Sequence, residues 1–199
     1  MTLAEMIRRG KKDLHDAYDA GVSGDDKYFL NTSRIDSHAY MFYGGARIDL
    51  LDKFDFSNVV DPARMFHSAN TLKTIPVLGT KDAQDFTMFA YSTDELETIE
   101  GIDFSSATKA PSAFLRCTRL KHITVYGTIP ISISWSSCPL TLTTAVSIIN
   151  ALKNYAGTAN EGTYSITFSS TTQAYLNAAG AKFNGMDWKT YMTSIGWVY

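Results

Sequence analysis

The side chains that most often carry chemistry are scattered along this chain of 199 residues. None of the histidines has a second metal ligand at the spacing of a helical turn or a hairpin, which a zinc site would need. We therefore expect no metal site and interpret the histidines as surface or core residues. They are His15, His38, His67 and His122.

Two groups of carboxylates are close in sequence. The spacing of the first group suggests calcium, but apolar residues intervene and no glycine provides the tight turn of a calcium loop. The second group lies within one short stretch and is interpreted as solvent-facing rather than as an acid/base pair. The first group is Asp49, Asp52 and Asp55, and the second is Glu95, Glu97 and Glu100.

No motif for covalent catalysis or cofactor binding occurs in the sequence. A Gly-x-Ser-x-Gly turn, a phosphate loop and a Gly-x-Gly-x-x-Gly turn are all missing. We expect a protein that is not an enzyme and needs no cofactor. A glycan hydrolase is kept as a minor alternative, because Trp135, Trp188 and Trp197 could stack on sugars, although large aromatics near a chain end more often close a core.

The two cysteines are too few and too far apart for a disulfide scaffold or a zinc ribbon. We interpret Cys117 and Cys138 as free buried thiols. A bridge between them stays open as an alternative, because neighbouring units of a repeat lie close together.

Composition and charge favour a folded chain without nucleic-acid or membrane partners. The chain is 45% hydrophobic and 19% charged, with a formal net charge of -2. No broad basic face is indicated, so we expect no nucleic-acid partner. No segment approaches the roughly 20 apolar residues of a membrane span, and no apolar stretch follows the basic residues 8–12 as a signal peptide requires.

The elements that must position any site are dominated by an internal repeat of about two dozen residues, running from roughly Met41 to Tyr126. Each copy begins with an apolar pair and continues with a Leu-x-x-Ile pattern. Because one unit cannot cover its own apolar side, equivalent Leu, Ile and Phe residues must stack on the next unit, and we predict that the Met-Phe pairs are core. The pairs, whose spacing is slightly uneven, are Met41-Phe42, Met65-Phe66, Met88-Phe89 and the altered Ala113-Phe114.

The strand positions between the inward apolar residues are the predicted binding surface. If Leu72, Ile75 and Val77 point inward, the alternate residues point outward, and stacked units would align them. The alternative, that these residues are simply solvated, stays open. The predicted binding face consists of Thr74, Pro76, Thr98, Glu100, His122 and Thr124.

Helix and strand signals flank the repeat. Thr2-Leu3-Ala4-Glu5 is a capping box that opens a predicted helix over about residues 3–20. We divide the chain into an N-terminal helix and turn (1–27), a repeat region (28–135) and a C-terminal helix and strand cap (136–199). Residues 131–135, before this cap, are predicted to form a strand or a last turn of the repeat. Within the cap we predict strands at 164–168 and 196–199, and helices at 141–155, 170–180 and 188–194.

The repeats resemble the BspA-like leucine-rich repeats of bacterial surface proteins and phage structural proteins. The resemblance rests on Met65-Phe66 followed by Leu72 and Ile75, and on the segment 55–59. The flanking segments, including Thr2-Leu3-Ala4-Glu5 and the closing Gly196-Trp197, look like parts of phage and prophage proteins. The family's cysteine after Met-Phe occurs here only as Cys117.

This resemblance implies an α/β fold: a short leucine-rich-repeat-like solenoid of about four turns with an N-terminal helix and a C-terminal helix and strand cap. It also implies a non-enzymatic phage or prophage virion protein, associated with capsid or tail, that presents its surface to other virion proteins or to a host-surface protein or glycan. A bacterial cell-surface or secreted adhesion module is the alternative. For a virion component a symmetric homo-oligomer is the default expectation.

Overall fold

The computed structural model describes residues 37–45, 48, 51, 54 and 56–199. Several predictions fall outside these residues, and the structure therefore bears on none of them. They are the helix at residues 3–20, His15, and the acidic residues Asp49, Asp52 and Asp55.

The described residues form eight short strands and three α-helices, preceded by a 3-10 turn at Tyr43–Gly45. The strands are β1 (Thr74–Val77), β2 (Thr98–Asp103), β3 (His122–Tyr126), β4 (Ile133–Trp135), β5 (Tyr164–Phe168), β6 (Lys182–Phe183), β7 (Met186–Asp187) and β8 (Trp197–Val198). The helices are α1 (Leu142–Ala151), α2 (Ser170–Ala178) and α3 (Trp188–Ser194). No helix in this part of the chain has the length and apolar character needed to cross a bilayer.

The strands belong to three separate sheets. β1, β2 and β3 form a parallel sheet in sequence order, β4, β5 and β8 form a second parallel sheet, and β6 pairs with β7 in an antiparallel hairpin. β4 does not continue the first sheet. It pairs instead with β5, and α1 provides the crossover between these two parallel strands.

The predicted leucine-rich-repeat-like solenoid of about four turns is therefore wrong. The described residues form a small α/β protein with three helices and several short sheets, parallel and antiparallel. The physical reason lies after Tyr126, where the regular spacing ends. Ile133 pairs with Ile166, which lies beyond α1 and well past one repeat length, so the C-terminal segment forms a sheet of its own rather than a cap on a continuous stack.

Within the first sheet the predicted equivalence of the isoleucines is confirmed. Ile75 pairs with Ile99 and Ile99 with Ile123, each one repeat unit apart, and all three side chains are buried. The ladder is irregular between Ile99 and Ile102, where β2 shifts register against β3. The sheet thus places one isoleucine of each unit directly beside that of the next.

In the structure the units follow one another at a constant spacing along the chain, whereas the Met-Phe pairs predicted a slightly uneven spacing. Two positions have positive φ in every unit, and their backbone amides donate to the next unit, as in Arg64 N to Thr87 O (2.9 Å) and Met88 N to Pro111 O (3.0 Å). The equally spaced positive-φ residues are Tyr40, Arg64, Met88 and Ser112 in one series, and Gly44, Ser68, Ser92 and Arg116 in the other.

The third Met-Phe pair is consequently displaced by one position. Met88 occupies the left-handed position of Arg64, and Phe89 occupies the position of Met65. Met41 and Met88 are both half-buried, and Met41 packs against the core, so the prediction that every Met-Phe pair is core is wrong for Met88. Phe89 itself is fully buried.

A column of aromatic rings runs through the core of the repeated units. Phe42 stacks on Phe66 (5.3 Å between ring centroids), Phe66 contacts Phe89 edge to face (5.4 Å), and Phe89 contacts Phe114 (6.0 Å). The column ends on Trp135 of β4, which stacks on Phe114 at 4.2 Å. Trp135 therefore joins the core of the first sheet to that of the second.

The predicted C-terminal elements are confirmed with small shifts at their ends. α1 is capped by Thr141, and it ends at Ala151 rather than at Tyr155. α2 is capped by Ser169, which accepts from Thr172 N; it begins at residue 170 as predicted and ends at Ala178 rather than at residue 180. α3 follows the cap Asp187, whose carboxylate accepts from the amides of Lys189 and Thr190.

Candidate functional site

The six predicted binding residues all lie on the outer face of the first sheet, between the buried positions. Thr74 pairs with Thr98, and Thr98 with His122, so these three residues form one aligned row. Thr74, Glu100, His122 and Thr124 are exposed, whereas Thr98 and Pro76 are half-buried. The structure brings the six residues together on one face, but it distributes five of them between two hollows.

The first hollow is a groove of about 460 Å³ between the outer face of β2 and β3 and the first two turns of α1. We call it the threonine groove. Three of the predicted residues lie in it, and six more residues complete the lining. The lining residues are Thr98, Ile99, His122, Ile123, Thr124, Thr141, Thr143, Thr144 and Ser147.

The wall formed by α1 exists because a helix replaces a strand beside β3. Thr141 N donates to Lys121 O (3.0 Å), which fixes the start of α1 next to the edge of β3. A helix with its side chains is about 10–12 Å wide, whereas neighbouring strands lie about 4.8 Å apart. The helix therefore rises above the sheet face and encloses the groove on one side. This wall was missed in the sequence, where α1 was interpreted only as part of a cap.

Hydroxyl groups dominate the polar lining of the threonine groove. Thr141 and Thr144 satisfy each other, because their Oγ1 atoms lie 3.0 Å apart and Thr144 N donates to Thr141 Oγ1 at 3.3 Å. The remaining hydroxyls make no hydrogen bond within the described residues; they belong to Thr98, Thr124, Thr143 and Ser147. No described lining residue carries a carboxylate, an ammonium or a guanidinium group.

The second hollow, of about 470 Å³, lies at the other end of the same face. Pro76 and Glu100 line it together with mostly apolar residues, among them Phe54, Phe56 and Val77. Thr74 lines neither hollow. The predicted face is thus chemically divided into a hydroxyl-rich end and an apolar end.

Gly101 of β2 allows a neighbouring side chain to cross the sheet next to the second hollow. The ring of Tyr126 lies directly over it, so that a Cβ atom at this position would be 2.5 Å from Cε2 of Tyr126 and 3.1 Å from Cγ1 of Val77. Only glycine lets the tyrosine ring cross β2 at this point. Val77 and Tyr126 are about half exposed, so the prediction that Val77 points inward is wrong.

A surface row of rings, which sequence reasoning missed, follows the same repeat spacing. His67 lies between Tyr43 and Tyr91, with 4.9 Å between its ring centroid and each of theirs. Burial lowers the pKa of His67, and the charge of Arg64 lowers it further, against a smaller upward effect of a backbone hydrogen bond. The signal was available in the sequence as Tyr43, His67 and Tyr91 at equal spacing.

The other described histidines occupy separate environments. His38 is completely buried and accepts from Val60 N through Nδ1 at 3.1 Å, whereas His122 is exposed at the threonine groove. In the part of the chain that the structure describes, no three His, Cys, Asp or Glu residues cluster closely enough to hold a metal ion.

The cysteines are free and buried, as predicted, and the alternative of a bridge is wrong. Cys117 Sγ donates to Ala90 O at 2.9 Å, and Thr93, at the equivalent position of the preceding unit, donates to Phe66 O at 2.7 Å. Burial raises the pKa of Cys117 to about 12 and raises that of Cys138 well above its ordinary value. Both thiols therefore have a packing role.

Glu95 and the three tryptophans have structural roles, whereas Glu97 and Glu100 are exposed to solvent. Glu95 pairs with Arg119, one unit later, on the surface. Trp135, Trp188 and Trp197 are at most 3% exposed, so they close cores rather than offering a surface to a sugar.

The chain was compared with protein-family models, with curated proteins and with solved structures. None of the three comparisons gave a match.

Proposed function

We propose that this chain is a non-enzymatic recognition protein that binds a protein or glycan through the outer face of the first sheet, as a component of a phage or prophage particle. The observation that supports the binding face is the aligned row Thr74, Thr98 and His122, next to the threonine groove. The particle assignment has a separate support, the resemblance of the two flanking segments to phage proteins.

The side chains of the groove favour binding over catalysis. His122 is the only ionisable side chain among the described lining residues, and no hydrogen bond among them joins it to a hydroxyl that it could activate. Polar groups that are fixed on strands and a helix are suited to hold a partner without further rearrangement.

The binding face is tested with a double substitution of exposed residues, Thr74→Arg with Thr124→Arg. Bulky charged side chains on this face should weaken attachment of purified particles to the envelope of the host cell at least about tenfold, which corresponds to about 1.4 kcal/mol. The matched control is Thr118→Arg with Thr163→Arg, which adds the same charge at exposed positions elsewhere. Equal attachment of both double variants would contradict the proposed face.

The particle assignment is tested by mass spectrometry of purified particles. We expect the polypeptide in intact particles at a fixed ratio to the major capsid protein, and we expect it to remain after washing in high salt. Its recovery in the bacterial envelope instead of the particles would favour the alternative, a cell-surface adhesion module.

A further inference from the structure

We infer that the threonine groove binds one or two sugar units of an uncharged glycan. This inference rests on the proposed binding function of the outer face and specifies the ligand at one end of that face. Four observations carry it: the groove's size, its neutrality, the hydroxyls that line it and the internal capping of α1.

The size of the groove suits a small ligand rather than a protein surface. Its volume of about 460 Å³ falls in the range of small-molecule sites, roughly 300–1,000 Å³. A stable protein interface buries about 800 Å² on each partner, which would require a surface well beyond this hollow. A protein partner is therefore the weaker candidate for the groove itself.

The charge of the groove selects a neutral ligand. No described lining residue is acidic or basic except His122, so a bound carboxylate or phosphate would lack a counter-charge. The start of α1 replaces that charge only in part, because Thr144 N already donates to Thr141 Oγ1 and Ala145 N to Thr141 O, which leaves only the amides of Leu142 and Thr143. An anion would thus lose its hydration without adequate compensation.

The hydroxyls that line the groove provide the positive recognition. Thr98 and Thr124 project from the sheet, and Thr143 and Ser147 project from α1, so donors and acceptors face the groove from two walls. A hydroxyl both donates and accepts, which matches the hydroxyl groups of a sugar. The methyl groups of the threonines supply apolar contact for the C–H faces of the sugar ring.

The binding experiment is a titration of the full-length protein, followed by amide resonances in nuclear magnetic resonance spectra. The uncharged probes are maltotriose, cellotriose and N,N′,N″-triacetylchitotriose, and the anionic probe is trigalacturonate. We expect at least one uncharged trisaccharide to shift the amides of Thr98, His122, Thr124 and Thr143 at millimolar concentration, and trigalacturonate to shift them less.

The residues are tested with Thr98→Val and Thr143→Val, which replace a hydroxyl by a methyl on opposite walls at constant shape. Each lost hydrogen bond should raise the Kd for the best uncharged trisaccharide about two- to twelvefold. The matched control is Thr118→Val, at an exposed position that lines neither hollow, and it should leave the Kd unchanged. Unaltered thermal unfolding of all three variants establishes that they fold.

Three results would overturn the inference: no shift with any uncharged trisaccharide at about 10 mM, equal or stronger binding of trigalacturonate, or shifts that map away from the groove. The two proposals fail separately. If Thr74→Arg with Thr124→Arg abolishes envelope attachment while no uncharged sugar binds, the binding face is supported and the glycan groove is wrong. If the sugar binds in the groove but attachment is insensitive to the double arginine variant, the groove is supported and the proposed function is wrong.

Discussion

The region from residue 37 to Tyr126 and the region from Gly127 to Tyr199 are stabilised in different ways. In the first, one hydrogen bond recurs at each unit, from Tyr40 N to Ala63 O and again, one unit on, from Arg64 N to Thr87 O. In the second, each contact occurs once, as when Trp197 Nε1 donates to Lys153 O at 2.7 Å. A core residue of the first region such as Ile99 therefore has equivalent residues on both sides, Ile75 and Ile123, whereas the stability of the second region depends on individual caps and hydrogen bonds.

The largest effect that separates the two regions is expected for Phe66→Ala. Its ring is fully buried between Phe42 and Phe89, so its removal opens a cavity that two units border. We expect a loss of about 3–5 kcal/mol in the free energy of unfolding, measured in urea. Phe168→Ala in β5 is the matched change in the second region, and an equal or larger loss there would contradict the comparison.

A smaller effect is expected for Ser169→Ala in the second region. Ser169 caps α2 by accepting from Thr172 N, and its hydroxyl also donates to Cys138 O at 2.8 Å. The loss should be about 0.5–2 kcal/mol, measured by thermal unfolding. Ser169→Thr, which keeps an oxygen at the cap, serves as the control and should recover much of the loss. An alanine variant as stable as the parent would show that this cap does not stabilise the region.

A substitution at Thr93 tests whether equivalent positions in the first region act alike. Thr93→Val removes the bond to Phe66 O and should lower the free energy of unfolding by about 0.5–1.5 kcal/mol. Thr93→Cys keeps a weaker donor of the kind that Cys117 provides one unit later, so its loss should be smaller. If the cysteine variant loses more than the valine variant in urea unfolding, the two positions are not equivalent.

The smallest effect on the free energy of unfolding is expected for a substitution at Asp85, which makes a surface contact between two units. Lys109 Nζ lies 2.9 Å from Asp85 Oδ2 of the preceding unit. Burial alone would raise the pKa of Asp85, but hydrogen bonds from Thr87 and Lys109 and the Lys109 charge lower it overall. Because the folded-state pKa lies below the unfolded value, this contribution is complete above the unfolded pKa and is lost as the pH falls through the folded pKa.

Asp85→Asn should therefore cost less than about 1 kcal/mol at neutral pH, since the pair is exposed to solvent. The difference from the parent should vanish in acid, and urea unfolding between neutral and acidic pH measures it. A difference that persists unchanged in acid would mean that the carboxylate charge is not its origin.

Local signals explain why most of the second region was predictable. Thr141 before an apolar stripe indicates a helix start, and alternation in residues 164–168 indicates a strand, because both patterns depend on neighbours along the chain. The pairing of β4 with β5 was not predictable in this way. It depends on contacts between two segments that the whole of α1 separates, and no local pattern encodes such contacts.

Local sequence similarity also failed to predict the register of the repeat. Similarity of residue type aligned Met88 with Met65, but backbone conformation places Met88 at the position of Arg64, since the hydrogen bonds between units require a constant spacing. Residue type at a half-exposed position is weakly constrained, so it is a poor guide to register.

By itself the sequence determined the periodic isoleucines and phenylalanines, the helices and strands of the C-terminal segment, and the outward row of Thr74, Thr98 and His122. Only the tertiary structure decided that the repeat ends after β3 and that α1 lies beside β3 as the wall of the threonine groove. The physical reason is that periodicity and caps are properties of nearby residues, whereas sheet membership and groove walls result from packing between distant ones.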